Sequence, residues 1–97
     1  MKLYIFARLH ARQGEERAVE QALAEVVLAS REESGCIAIE AFRSTGDPRL
    51  FYIHSQWTDE AAFEVHASLA HTVKFLETVS RLIDVPLEVV RTKSLGY

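Results

Sequence analysis

Three observations predict an α+β fold for this sequence. Segments with apolar residues at alternating or helical spacing follow one another as strand, helix, strand, strand, helix, strand, which is the order of the split βαβ, or ferredoxin-like, arrangement. A turn-forming stretch separates the two middle strands, so these are expected to form a hairpin. Apolar side chains occupy both faces of the first strand. We therefore expect a four-stranded antiparallel sheet with two helices on one face and a second copy of the chain covering the other.

The first strand is predicted over residues 2–11, where Leu3 and Ile5 point to one face and Tyr4 and Phe6 to the other. The first helix is expected to follow Gly14 and to run to about residue 33. Its apolar stripe recurs at helical spacing and comprises Val19, Ala22, Leu23, Val26 and Val27. Gly35 is expected to be its C-terminal cap, because glycine tolerates the left-handed conformation.

The hairpin strands are predicted over residues 36–44 and 49–57, with a turn over residues 44–48. On the first of these strands, Ile37, Ile39 and Ala41 are expected to share a face. On the second, one face is expected to hold Phe51, Ile53, Ser55 and Trp57.

The second helical region begins after Trp57, with Thr58 or Asp59 as its predicted cap. Residues 68–70 are expected to interrupt it, and a second segment is predicted from about residue 71 to residue 83. Pro86 is predicted to begin the last strand, where its missing N–H is tolerated.

Composition limits the classes of function. The 97 residues are expected to form one domain, residues 1–97, and with 48% apolar and 26% charged residues they resemble a globular chain. A net charge of −3 gives no basic patch for nucleic acid. Cys36 is the sole cysteine, as is common in a reducing compartment, and neither a membrane span nor a signal peptide is evident, so a cytoplasmic location is expected.

No phosphate loop, nucleophile elbow or paired-cysteine motif occurs, so nucleotide, flavin and structural metal sites are not expected. His66 and His71 lie five positions apart, whereas residues three or four apart share a helix face, which disfavours a common metal. One interpretation is that they are capping or solvated histidines. The other is that His66 faces a cavity under the helix and acts as a general base or hydrogen-bond donor near neutral pH.

Trp57 also has two interpretations. It is either a core or interface tryptophan or an aromatic wall for a planar ligand, joined by Phe51, Tyr52 and Phe63. Ser55, a small polar residue among large apolar neighbours, would leave either space or a donor there. Cys36 is interpreted as a small buried apolar residue rather than a nucleophile.

Several short motifs together resemble the antibiotic biosynthesis monooxygenase family. They are residues 14–15, 33–36, 47–51 and 57–61, and His66 with His71 in an H-x₄-H pattern. The resemblance implies a dimeric α+β barrel and a cofactor-independent monooxygenase that oxidises a phenolic or quinol-like molecule with O₂. It implies His66 as the catalytic base and a substrate pocket lined by Trp57, Phe51, Ser55, Phe63, His71 and Phe75.

The sequence departs from the family pattern at two positions, with Ser55 where Glu is common and Ala70 where Pro is common. Two alternatives therefore stay open. One is an isomerase of a small phosphorylated metabolite, similar to the branch that processes autoinducer-2, with Arg8, Arg49 or Lys74 as the phosphate anchor. The other is a non-catalytic protein that binds a small aromatic molecule.

Overall fold

The computed structural model describes residues 1–97 and confirms the α+β, ferredoxin-like architecture. Four antiparallel strands form one sheet in the order β2-β3-β1-β4. The strands are β1 (Leu3–His10), β2 (Cys36–Arg43), β3 (Leu50–Trp57) and β4 (Glu88–Thr92), and the helices are α1 (Glu16–Ser30), α2 (Glu60–Ser68) and α3 (Ala70–Ser80). None of the helices is long and apolar enough to cross a membrane.

The second helical region is divided where the sequence predicts an interruption. Leu69 has an extended backbone (φ −73°, ψ 151°), so α2 ends before it and α3 begins after it. Asp59, rather than Thr58, caps α2, because its carboxylate accepts a hydrogen bond from the Ala62 N–H at 2.8 Å. The predicted boundaries differ elsewhere: α1 ends at Ser30 rather than residue 33, and α3 ends at Ser80 rather than residue 83.

Two predictions about the start of β2 are wrong. Gly35 is not a left-handed helix cap, since its φ is not positive. Its role is a close approach, because a Cβ at Gly35 would lie 2.5 Å from Cβ of Ala62 in α2. Ile37 is exposed and does not share the buried face of Ile39, because a β-bulge pairs Cys36 with Trp57 and Ala38 with Gln56, leaving Ile37 as the extra residue.

The core lies between the sheet and the helices in two clusters. The larger cluster lies under α1 and α3, and its buried residues include Leu9, Val19, Phe51, Phe75 and Val79. The smaller cluster lies under α2 and consists of Leu3, Ile5, Trp57 and Phe63. The predicted alternation of β1 and β3 is confirmed, because their buried residues are the ones expected on the helical face.

The opposite sheet face carries exposed apolar side chains. Phe6, Phe42, Tyr52 and Val90 are all 38% exposed or more. Phe6 pairs across strands with Val90 and with His54, and Tyr52 pairs with Phe42, so the four lie together on one surface. We call this surface the open sheet face.

The last strand is shorter than predicted, because it starts at Glu88 rather than Pro86. One arginine of this strand contacts α2. Arg91 donates hydrogen bonds to Glu60 at 3.0 Å and to Glu64 at 2.6 Å. Its guanidinium also lies 5.0 Å from the ring centroid of Phe63. The position of α2 therefore depends on β4 as well as on its own two buried residues, Phe63 and His66.

Candidate functional site

Glu33 is the residue around which the candidate site is built. It lies in the connection between α1 and β2, where its backbone N–H donates to the Ser30 carbonyl and its carbonyl accepts from the Cys36 N–H, both at 3.0 Å. These two bonds fix the turn and direct the carboxylate toward the junction of α2 and α3. The Glu33 side chain is only 10% exposed.

Both candidate histidines contact this carboxylate. Oε2 of Glu33 lies 2.8 Å from Nδ1 of His66 and 2.7 Å from Nε2 of His71. Helix α2 ends before Leu69, so the five-residue spacing no longer places the two rings on different faces of one helix. The argument from spacing against a shared ligand is therefore wrong, and the three side chains converge with their ligand atoms all within 4.8 Å of one another.

The contacts with Glu33 limit the tautomer of each ring. An ionised carboxylate only accepts hydrogen bonds, so with Glu33 ionised the donors are Nδ1 of His66 and Nε2 of His71. In neutral His66 the lone pair is then on Nε2. A carboxylate behind the donor nitrogen stabilises the imidazolium, as in other carboxylate–histidine pairs, and so supports the ring as a proton acceptor.

An aromatic cluster packs around His66. Its ring centroid lies 4.4 Å from that of Trp57 and 5.6 Å from that of Phe63. Trp57 is fully buried, and its indole N–H donates to Oγ of Ser55 at 3.0 Å. Ser55 thus supplies an acceptor for the tryptophan.

Two of the predicted pocket residues lie elsewhere. Phe51 and Phe75 belong to the larger core cluster, away from Trp57 and Phe63. The guanidinium of Arg43 covers the Phe51 ring at 4.8 Å. Phe75 and His71 line a separate groove of about 230 Å³ between α1 and α3. The structure therefore brings together His66, His71, Trp57, Ser55 and Phe63.

A groove of about 480 Å³ beside the site lies between α2, the loop that precedes it and the connection that carries Glu33. Glu33, Gly35, Ala62, Val65 and Leu69 are among its lining residues. Phe63 and His66 are the two buried residues of α2; they pack against Trp57 and do not line this groove. Glu33 is the residue of the histidine cluster that lines the groove.

The three candidate phosphate anchors are placed differently. Arg49 is already engaged, because its guanidinium donates to Asp84 at 2.9 Å and to the Ala11 carbonyl at 3.1 Å. Arg8 points away from the helices, on the open sheet face. Lys74 lines a groove with His71, and its ammonium lies 3.8 Å from the carboxylate of Glu25, which lines the same groove.

Cys36 lies near the site without the properties of a nucleophile. Burial raises the pKa of its thiol, and the Glu33 carboxylate raises it further. The neutral thiol is the stable form, which agrees with its interpretation as a small apolar residue.

Sequence reasoning did not single out Glu33 as a site residue, although it lies in one of the motifs that carry the family resemblance. It is 33 positions from His66 and 38 from His71, so no local pattern joins them. The available signal was an acidic residue two positions before a glycine, where a missing side chain permits close approach of another element.

Comparison with known proteins extends these observations. Residues 3–78 match the family model described as "Antibiotic biosynthesis monooxygenase". The chain is 36% identical over 64 residues to the Bacillus subtilis (strain 168) protein named "Putative monooxygenase YcnE", an alignment that covers 66% of this chain and 67% of that one.

Solved structures share the fold over nearly the full chain. The crystal structure of PA3566 from Pseudomonas aeruginosa is similar with a TM-score of 0.91 and 29% identity, covering 98% of this chain and 95% of that one. The structure of Rv0793 from Mycobacterium tuberculosis has a TM-score of 0.94 at 18% identity, covering 100% and 98% of the two chains, and shows likeness of fold alone.

Proposed function

Because the chain belongs to the antibiotic biosynthesis monooxygenase family, we propose that it is a monooxygenase that oxidises a phenolic or quinol-like small molecule with O₂ and without a cofactor. The observation that carries the proposal is the contact between Glu33 and His66, next to Trp57. It supplies one oriented base and an apolar aromatic surface, which is what such a reaction needs from the protein.

His66 is the proposed catalytic base. Nε2 of His66 accepts the phenol proton, while Nδ1 keeps its hydrogen bond to Glu33 and the carboxylate stabilises the imidazolium that forms. The phenolate then donates electrons to O₂. One oxygen atom forms a new carbonyl on the ring and gives a quinone. The other leaves as water with two hydrogens, one from the phenol and one from the oxidised carbon.

Access to His66 requires movement of α2. The principal surface grooves are not lined by Trp57, Ser55, Phe63 or His66, and the side chain of His66 is only 11% exposed. Only two of the nine residues of α2 are buried, so this helix is weakly held against the core. Outward movement of α2 would join the 480 Å³ groove to the aromatic cluster and admit a planar substrate between Trp57 and the helix.

We further propose that the protein is a homodimer that buries the open sheet face. Phe6, Phe42, Tyr52 and Val90 form one exposed apolar surface there. His54 lies on the same face, and its buried Nδ1 has no hydrogen-bond partner within the chain. A second copy is the commonest way to cover such a surface.

The test is oxygen uptake with a panel of phenols, naphthols and quinols, with quinone formation followed by absorbance. Activity is expected in protein treated with a chelator, and His66→Gln should lower kcat/KM by about 10² to 10⁴-fold, the usual contribution of a general base. His10→Gln, at a histidine remote from the cluster, is the matched control. Undiminished activity of folded His66→Gln would remove His66 from the mechanism, and tight quinone binding without turnover would indicate a binding protein.

The isomerase is the second candidate, and the groove shared by Lys74 and His71 is the observation that favours it. A phosphorylated ketone would place its phosphate at the Lys74 ammonium. Conversion of such a ketone by the wild-type protein, lost in Lys74→Gln, would support the isomerase over the monooxygenase.

A further inference from the structure

We propose that Glu33, His66 and His71 form a binding site for a divalent metal ion such as Zn²⁺ or Co²⁺. The three side chains offer one carboxylate oxygen and two imidazole nitrogens, all within 4.8 Å of one another. Two histidines and one carboxylate form a ligand set found in both catalytic zinc sites and non-haem iron sites. Imidazole ligands favour such ions over Mg²⁺ and Ca²⁺, which prefer oxygen.

The three ligand atoms must rearrange to hold an ion. Zinc–nitrogen and zinc–oxygen bonds of about 2.1 Å place neighbouring tetrahedral ligands about 3.4 Å apart. The present separations from Oε2 of Glu33 are 2.8 Å to His66 and 2.7 Å to His71. Glu33 lies in a connection rather than in a helix or strand, so its carboxylate can withdraw by the roughly 0.7 Å required, and the two imidazole nitrogens, which lie within 4.8 Å of each other, must approach to about 3.4 Å.

The tautomers available to His66 and His71 also permit metal binding. In the metal-free protein the nitrogens that face Glu33 carry protons, whereas a metal needs their lone pairs. Each neutral imidazole can move its proton to its other nitrogen. In His66 the proton would then be on Nε2 and the metal would be bound to Nδ1, with no change in the charge of the ring.

Burial is suited to a site with an open coordination position. The side chains of Glu33 and His66 are 10% and 11% exposed, and that of His71 is 28% exposed. Most of the ion would be shielded from water, and the His71 side provides entry and room for a bound water as a fourth ligand.

The other histidine–carboxylate cluster in the chain lacks this geometry. His10 contacts Asp84 through Nδ1 and Asp47 through Nε2, so the two carboxylates lie on opposite nitrogens of one ring. A single ion cannot bind both carboxylates and that ring at once. His10 therefore provides a matched control for loss of a histidine–carboxylate contact.

One consequence rests on the proposed function. A metal at Nδ1 moves the proton of His66 to Nε2 and removes the lone pair that would accept the phenol proton. Bound zinc should therefore inhibit oxygen uptake, and a chelator should restore it.

The test is calorimetric titration of untagged, chelator-treated protein with Zn²⁺ alone, together with visible absorption on addition of Co²⁺. We expect one ion per chain and Co²⁺ bands typical of imidazole ligation. Glu33→Gln and His71→Gln should each weaken Zn²⁺ binding by at least about tenfold. His10→Gln should bind as the wild type does.

His71 is partly exposed, so His71→Gln should keep the fold even if His66→Gln does not. Zn²⁺ binding that is unchanged in both Glu33→Gln and His71→Gln, or an absence of stoichiometric binding by the wild type, would overturn the proposal. Stoichiometric binding that these variants lose supports the site even if no oxidised substrate is found, because the titration contains no substrate.

Discussion

The backbone at Gly35 approaches Ala62 so closely that a Cβ on the glycine would lie 2.5 Å from Cβ of the alanine. This contact joins the connection that carries Glu33 to the helix that carries His66. The packing of two small residues therefore contributes to the distance between the carboxylate and the imidazole.

The first prediction concerns this contact. Gly35→Ala should destabilise the protein by about 1 to 3 kcal/mol, because α2 or the connection must move to relieve the overlap. Thermal unfolding and Trp57 fluorescence would measure the effect. Gly46→Ala is the matched control, since the nearest atom to its Cβ is 3.9 Å away and its φ is not positive. Adding Ala62→Gly to Gly35→Ala should restore part of the loss, and a loss equal to that of Gly46→Ala would contradict the role assigned to this contact.

The second prediction concerns the buried hydrogen bond between Trp57 and Ser55. Ser55→Ala leaves the indole N–H without an acceptor and should cost about 1 to 3 kcal/mol of unfolding free energy, measured in urea. In a Trp57→Phe background, which lacks the donor, the same change should cost clearly less. Equal costs in the two backgrounds would show that the bond contributes nothing.

The third prediction concerns Glu33 as the positioning residue for His66. Glu33→Gln keeps an oxygen that can accept from Nδ1 but removes the charge that stabilises the imidazolium. We expect kcat on a phenolic substrate to fall by about 10²-fold, with KM changed much less. Steady-state oxygen uptake separates the two parameters. A rise in KM at constant kcat would instead indicate that Glu33 only contacts the substrate.

The fourth prediction concerns the pH dependence of stability around His10. Hydrogen bonds to Asp84 and then to Asp47 raise the pKa of His10 above its usual 6.5. The pKa of Asp84 is lowered chiefly by the bond from His10, and that of Asp47 by the Arg49 N–H and then by His10. A raised histidine pKa stabilises the fold below about pH 6.5 and loses that effect as pH rises through the folded-state value.

The lowered aspartate pKa values stabilise the fold above about pH 4 and lose that effect as pH falls. The difference in unfolding free energy between wild type and His10→Gln should therefore be greatest between about pH 4 and pH 6.5 and decline above it. Urea unfolding over this range measures it. A difference that stays constant up to about pH 9 would contradict the raised pKa.

The fifth prediction concerns the open sheet face. Phe6→Asp should give a monomer at micromolar concentration, because a desolvated carboxylate opposes burial of that face. Sedimentation velocity measures the state. Leu28→Asp is the control, since Leu28 is also exposed but lies on α1. A wild-type protein that is already a stable monomer would refute the dimer.

Much of the fold follows from local pattern. The alternation of β1 and β3 correctly separates Ile5 and Ile53 from Phe6 and Tyr52, because side chains alternate strictly along a strand. Ile37 shows where this reasoning fails. One extra residue in a bulge reverses the face, and nothing in the apolar pattern marks it.

The candidate site was less accessible to sequence reasoning. His66 and Trp57 were identifiable as chemically distinctive residues, and the structure brings their rings together. Glu33 was not, because its partners are distant in sequence and come near it only where the connection at Gly35 packs closely on α2. The convergence of His66 and His71 depends on the extended backbone of Leu69. This residue ends α2 and changes the direction of the chain, so the two histidines lie on different helices.

The attachment of β4 to α2 through Arg91 should make the site sensitive to ionic strength. The ion pairs with Glu60 and Glu64 are exposed, so dissolved salt screens them, while the buried contacts of Phe63 and His66 are little affected. Salt should therefore loosen the helix that covers the aromatic cluster without unfolding the sheet beneath it. A ligand that enters by displacing α2 would then bind faster at high salt, the opposite of the behaviour expected for a ligand attracted by charge.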